Sequence, residues 1–293
     1  YTMTEPRSQL GLYPVILNRN NLVSDSNNNT YRYTFPNGAV RFKNSRITLS
    51  NINLFFSWFN ISSTNNNNTF QFVWPTNVGS TTYTVVIPDG YYSIPSLNSY
   101  LQQYCITNGL YLVNTASQNV YYLELLENST YYSIQYNSYP FPTALPGGWS
   151  NPGGLTFPAV ASTPQLIIPA TNIRNYLGFN AGTYPAAFQA TNYSKLSDFT
   201  PQVNTVSSII VVCNLLNNKY SIPNTILYSF SPSNYTFGDL VVEKPPEYSF
   251  IDIQDGDYSD ITISFLNQDL LPITIRDTNI IIQLVIQAPT YRF

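Results

Sequence analysis

The chain has 293 residues, enough to bury the core of one large β-sandwich or of two smaller domains. Charged residues make up 9% of it, against roughly 25% in an ordinary soluble domain. The net charge is -3 with no run of Lys or Arg, which argues against direct nucleic-acid binding by the folded body. Histidine is absent, and with it go Ser-His-Asp and Cys-His catalysis, His-bound zinc and the commonest general base.

Asn, Ser, Thr, Gln and Tyr take the polar positions that Lys and Glu usually hold. Neutral surface of this kind is easier to desolvate than charged surface, so it suits a protein packed against copies of itself. An AT-rich genome would also enrich Asn, Tyr, Ile and Phe, but it would enrich Lys too, and Lys+Arg number only 12. Cys105 and Cys213 lack metal-knuckle spacing and read as small buried hydrophobes, and no cofactor is expected. No apolar stretch approaches the roughly 20 residues of a membrane helix. The segments Leu54 to Ile61 and Ser208 to Leu216 are only strand-length. The chain starts at Tyr1 without Met or a basic-then-apolar leader, which leaves room for a processed N-terminal extension.

In chain order, period-two alternation predicts strands with one buried face at Tyr31, Tyr33 and Phe35; Phe70, Phe72 and Trp74; Tyr83, Val85 and Ile87; and Tyr121, Leu123 and Leu125. It does so again at Ile261, Ile263 and Phe265 and from Ile280 to Ile286. Between Arg46 and Asn60 the phase changes, with Ile47 and Leu49 on one register and Ile52 and Leu54 on the other. That predicts a β-bulge or bend near Ser50 and Asn51. A helix is predicted from Pro95 to Ile106, carrying Leu97, Tyr100, Leu101, Tyr104 and Cys105 on one side and followed by Gly109. A shorter helical turn runs from Asn172 to Leu177, closed by Gly178. The stretch from Ser138 to Pro164 is dense in Pro and Gly without periodicity and reads as part of an insertion or projecting loop system. Turn signals such as Pro88-Asp89-Gly90, Asn108-Gly109, Gly153-Gly154 and Asp255-Gly256 punctuate the strands, and the Asn clusters at 27–29 and 65–68 read as exposed loop tips. Many short strands between many turns predict an all-β sandwich or barrel with one or two short helices.

Chemistry-bearing patterns are few. There is no phosphate-cradling glycine loop, no G-x-S-x-G elbow and no C-x-x-C pair. A carboxylate-only glycosidase stays open by count, but most Asp and Glu sit beside turn residues. Asp252, Asp255, Asp257 and Asp260 form the densest acidic segment; they could offer oxygens to a hard cation, but they miss the EF-hand spacing and read rather as a solvated hairpin turn. Pro245, Pro246 and Tyr248 match the Pro-Pro-x-Tyr ligand of WW domains, a short motif that a chain with 21 Pro and 25 Tyr also produces by chance. Asn-x-Ser/Thr acceptors occur at Asn28, Asn60, Asn67, Asn128, Asn192 and Asn234, and in an Asn-rich chain most read as accidental. The aromatic residues read mainly as core, with Trp149 and the Tyr-rich loops as candidates for stacking on sugars.

Four segments together carry a family resemblance: Val85 to Ser93 leading into the helix with Leu97 and Leu101; Asn175 to Phe179; Val211 to Ser229 with Asn214, Asn217 and Asn218; and Ile261 to Ile286. They resemble the penton, or minor capsid, protein of virophages and Polinton-like viruses. In that family's pattern a Gly often accompanies the turn before the penultimate strand, where Asn267-Gln268-Asp269 stands here. The resemblance implies a single jelly-roll β-sandwich with an inserted or elaborated central region. Its expected boundaries are N-terminal strands over 1–113, an insertion over 114–205 and C-terminal strands over 206–293. It further implies a structural protein, not an enzyme, that forms a homopentamer at the five-fold vertices of an icosahedral virion. Its implied partners are the surrounding major capsid capsomers and a host or helper-virus surface receptor. A carbohydrate- or receptor-binding β-sandwich of fibre or lectin type is the alternative, and a carboxylate glycosidase a distant third.

Overall fold

The computed structural model describes residues 9–24 and 27–290, so the start of the chain at Tyr1 lies outside the described residues. In chain order the first elements are β1 (Gln9–Asn18), β2 (Thr30–Thr34), β3 (Val40–Phe42), β4 (Arg46–Phe55), β5 (Thr69–Thr76), β6 (Gly79–Val86) and the helix α1 (Ile94–Thr107). They are followed by β7 (Leu112–Val113), β8 (Asn119–Val120), β9 (Leu123–Asn128), β10 (Ser133–Ser138), β11 (Gln165–Ile168), the helix α2 (Ile173–Leu177), β12 (Gly182–Tyr184) and β13 (Tyr193–Leu196). The last are β14 (Ile209–Cys213), β15 (Ile226–Phe230), β16 (Leu240–Glu243), β17 (Ile251–Asp252), β18 (Gly256–Tyr258), β19 (Asp260–Asn267) and β20 (Ile281–Thr290). The chain divides into two compact units, one of Tyr1–Trp58 with Val206–Phe293 and one of Phe59–Thr205.

The first unit contains two antiparallel sheets, ordered β1-β20-β4-β16 and β15-β14-β19-β2. Numbered along the chain, these eight strands lie first-eighth-third-sixth in one sheet and fifth-fourth-seventh-second in the other. That is the paired Greek-key order of a jelly roll. The inward faces alternate as the sequence predicts: Ile261, Ile263 and Phe265 on β19, and Ile282, Leu284 and Ile286 on β20, are buried, while the residues between them are more exposed. Tyr228 on β15 donates a hydrogen bond to Glu243 on β16 at 2.7 Å, tying one sheet to the other.

On β4 the predicted change of phase is a bulge. Asn51 opposes Gln283 and Leu49 opposes Leu284, so Ser50 is the extra residue. Because Ser50 is unpaired in the ladder, Ile47 and Leu49 before it and Ile52 and Leu54 after it all reach the core, and all four are buried.

The second unit starts at Phe59, well before the expected boundary at 114. Alternation shows that β5 and β6 bury one face, but it does not say against which core. Their partners settle that: β5 pairs with β6 on one side and with β11 on the other, in a sheet ordered β12-β11-β5-β6. A second sheet is ordered β13-β10-β9, and α1 packs on β9. The helix begins at the Ser93 cap with Pro95 in its first turn, as Pro tolerates, and buries Ile94, Leu97, Leu101 and Cys105. Its Tyr100 and Tyr104 lie only partly buried against the same core. The Pro- and Gly-rich stretch after β10 is ordered by its aromatics. Phe141 is buried, stacks on Phe157 at 5.2 Å and meets Trp74 and Tyr122. Two turns far apart in sequence touch backbone to backbone at Gly109 and Gly153, where no side chain could be accommodated. Gly178 ends α2 in the left-handed region at φ 77, with the Phe199 carbonyl occupying the space of a side chain.

Candidate assembly surfaces

Several titratable groups are engaged by the fold. Cys105 and Cys213 are buried, and burial pushes both thiols up to about 12, far from a reactive thiolate. In the second unit, Tyr139 and Asn137 both donate to Glu124. Asp198 accepts from Lys195 at 2.6 Å, the Asn180 N–H at 2.8 Å and the Tyr184 hydroxyl at 3.2 Å. Burial alone would push that carboxyl up, but these donors together hold it below its usual range.

The acidic side chains are spread over three strands and the turn between them, Asp252 on β17, Asp255 in the turn, Asp257 on β18 and Asp260 at the start of β19, so the hairpin-turn reading holds only for Asp255. Asp252 pairs with Arg46 at 3.0 Å, Asp255 accepts the Asn44 N–H, and Asp260 accepts from Asn214, Ser259 and Thr262. Among the described residues no group of three metal-ligating side chains converges. Nor is any helix among them long and apolar enough to cross a membrane.

Asn60 and Asn67, which the sequence offers as glycan acceptors, are interior residues. Asn60 is fully buried; its amide donates to the Tyr92 and Val203 carbonyls at 2.7 and 3.0 Å, and its oxygen accepts the Tyr92 N–H at 2.8 Å. Asn67 donates to the Asn60 carbonyl and accepts the Ser62 N–H. Together they latch the entry of the second unit to its exit near Val203. Nothing in the sequence marks this role, since the same residues read equally well as a loop tip. The reading of cluster 65–68 as wholly exposed is therefore corrected at Asn67, and that of cluster 27–29 at Asn29, which is also buried. The exposed acceptors are Asn192 and Asn234.

Pro245, Pro246 and Tyr248 lie on the arch between β16 and β17. Pro246 and Tyr248 are exposed, but Pro245 is buried, so the folded surface presents only part of the Pro-Pro-x-Tyr motif. Tyr248 touches Ser50 through its hydroxyl at 3.4 Å and Phe250 ring to ring. Trp149 is likewise half-buried against the core of the second unit instead of open to a ligand.

One sheet face on the surface is largely apolar and neutral. The outward face of the sheet β1-β20-β4-β16 exposes Leu10, Leu12, Ile16, Ile281, Leu240 and Val242, where an antiparallel sheet facing water usually alternates to polar residues. Register places Leu12 and Ile16 beside Gln287 and Gln283, so that face offers methyl and amide groups and no charge on β1 or β20. Loop tips add Tyr220 and Ile222, 99% and 93% exposed, between β14 and β15, and the adjacent Tyr131 and Tyr132 between β9 and β10.

No protein-family model and no curated protein matches the chain. Among solved structures it is similar to the selenomethionine-labelled crystal structure of the mavirus penton protein, at 10% identity and TM-score 0.45, covering 96% of this chain and 100% of that one. It is also similar to a chain of the Sputnik virophage cryo-EM structure, at 12% identity and TM-score 0.34, covering 96% and 98%. Likenesses of this degree carry no functional argument, which rests on the strand order and the surface.

Proposed function

We propose that the chain is a structural capsid protein, a penton that forms a homopentamer at the vertices of an icosahedral virion and contacts the surrounding capsomers. The observation that carries this reading is a jelly roll whose outer sheet face exposes six aliphatic side chains and is uncharged across β1 and β20, in a chain whose two cysteines are buried. Function then comes from shape and interface burial, with neutral flanks that avoid the desolvation cost of buried charge. A five-membered ring uses head-to-tail contacts that close on themselves.

Native mass spectrometry of the purified chain, with negative-stain imaging of the same sample, tests it. Discrete pentameric rings are the expected outcome. A monomer at every concentration, unable to join capsomers on addition, overturns the reading.

Glycan binding is the second reading, favoured by the two adjacent exposed tyrosines at the β9–β10 turn, since sugar faces stack on such rings. Selective binding of the monomer on a glycan array, lost in Tyr131→Ala, would establish it in place of assembly.

A further inference from the structure

From the way the jelly roll treats its own sheet edges, we infer that the β1 side of the sheet β1-β20-β4-β16, its open edge together with its outward face, is covered by a second copy of this chain. This inference rests on the assembly role proposed above and names the surface that performs it.

A free strand edge exposes a row of N–H and C=O groups that templates pairing with another chain, and stable monomers blunt such edges. Three of the four edges here are blunted or short. On β16 the Tyr235 hydroxyl accepts the Val242 N–H at 3.2 Å and donates to the Val242 carbonyl at 3.0 Å, capping the outer side of a four-residue strand. On β2 the chain from Asn21 to Val23 folds back over the edge: Asn21 donates to the Arg32 carbonyl, and the Val23 N–H reaches the Thr30 carbonyl. The edge strand β15 has five residues.

The remaining edge, β1, has ten residues, all paired with β20 on one side. Among the described residues nothing covers the other side from Leu10 to Leu17. It carries no Lys or other charge, and Pro14 is its only edge-breaking residue. The side chains it turns outward are Leu10, Leu12 and Ile16, the most exposed aliphatics of the sheet.

The occupant follows from charge and area. With no charge on β1 or β20 the surface has nothing to offer a basic or acidic partner, whereas a chain of 9% charged residues presents the same neutral chemistry to its copies. The two strands β1 and β20, each about 34 Å long and spaced at about 4.8 Å, give an open outward face of roughly 330 Å², since Thr48 on the outward side of β4 is already buried. That is about two-fifths of the roughly 800 Å² each partner buries in a standard interface, and the open edge of β1 adds to it. Charges enter only at the β4 margin, through Arg46, Asp252 and the Lys244 to Glu247 arch, in the manner of a polar rim. Because one end of the sheet is capped and the other open, the contact has a direction, as head-to-tail closure requires.

The test uses the full chain. Leu12→Lys and Ile16→Lys, with Val78→Lys at an exposed turn of the second unit as control, are compared with the wild type by sedimentation velocity. We expect each β1 variant to weaken association at least 100-fold while the control associates like the wild type. Because a variant that fails to fold would also fail to associate, Leu12→Cys is made as well. Its thiol should resist maleimide in the oligomer and react in diluted monomer, while buried Cys105 and Cys213 stay silent. Oligomers that persist in both Lys variants, or that leave the Leu12→Cys thiol fully reactive, overturn this surface and leave the capsid role standing. A wild type that is monomeric at every concentration overturns the surface, and one that also fails to join added capsomers overturns the assembly reading with it.

Discussion

At the scale of single residues, the strongest structural statement is made by Asn60. Its amide donates to two carbonyls and accepts one N–H, so Asn60→Ala leaves the Tyr92 N–H and the Val203 carbonyl without this partner, while the Tyr92 carbonyl keeps the Tyr176 hydroxyl. Such groups cost about 1–3 kcal/mol each. We expect a loss of about 3 kcal/mol, read from denaturant unfolding, and no glycan at this position on secretory expression. The turn after β19 makes a second statement. There Asn267 accepts the N–H groups of Asp269 and Leu271, and Leu270 takes the left-handed conformation at φ 61. A side chain there costs roughly 1–2 kcal/mol, so Leu270→Gly should raise stability by about 1 kcal/mol in thermal unfolding. An unchanged or lowered midpoint would show that Leu270 recovers that strain through its contacts. Neither residue was legible beforehand, because a buried Asn and a strained Leu carry the same letters as an exposed loop.

Among the elements, β4 was legible in detail, because the bulge at Ser50 follows from the step between two inward registers. The helix α1 was equally legible from its cap, its Pro and its helical spacing. The arch holding Pro245, Pro246 and Tyr248 was legible only as a motif. A WW-type groove reads a Pro-rich segment in extended form, and in the folded chain Pro245 faces inward. A WW domain should therefore bind a peptide spanning Lys244 to Phe250 and bind the intact protein at least tenfold more weakly. Equal affinities in a titration would show that the arch lifts freely and would restore the motif as a docking site.

For the whole molecule, the unusual composition dictates how stability responds to pH. Burial pushes Tyr31, Tyr122, Tyr139, Tyr184 and Tyr228 up to about 12, with Glu124, Asp198 and Glu243 adding to the effect on Tyr139, Tyr184 and Tyr228. A phenol whose pKa is raised by folding favours the native state while it is protonated. That stability is fully present below the ordinary value of 10.0 and is lost as pH rises through about 12. Tyrosinate absorbance and circular dichroism should change together in that window. With no histidine, no side chain of ordinary pKa titrates between about pH 5 and 8, so stability and association should be flat there. A transition near pH 6 would contradict this.

By itself the sequence determined the all-β class, most strands, both helices, the bulge, and the absence of histidine-based chemistry, because each is local: a period, a cap, a phase step or a composition. The tertiary structure alone decided that residues 59–113 belong with the second unit, that Asn60 and Asn67 are interior, that Pro245 is hidden and that β1 is the edge no described residue covers. The physical reason is common to all four. A strand's alternation records that one face is buried, whereas the identity of its neighbour is set by pairing between segments as far apart as β1 and β20, and no local pattern carries that information.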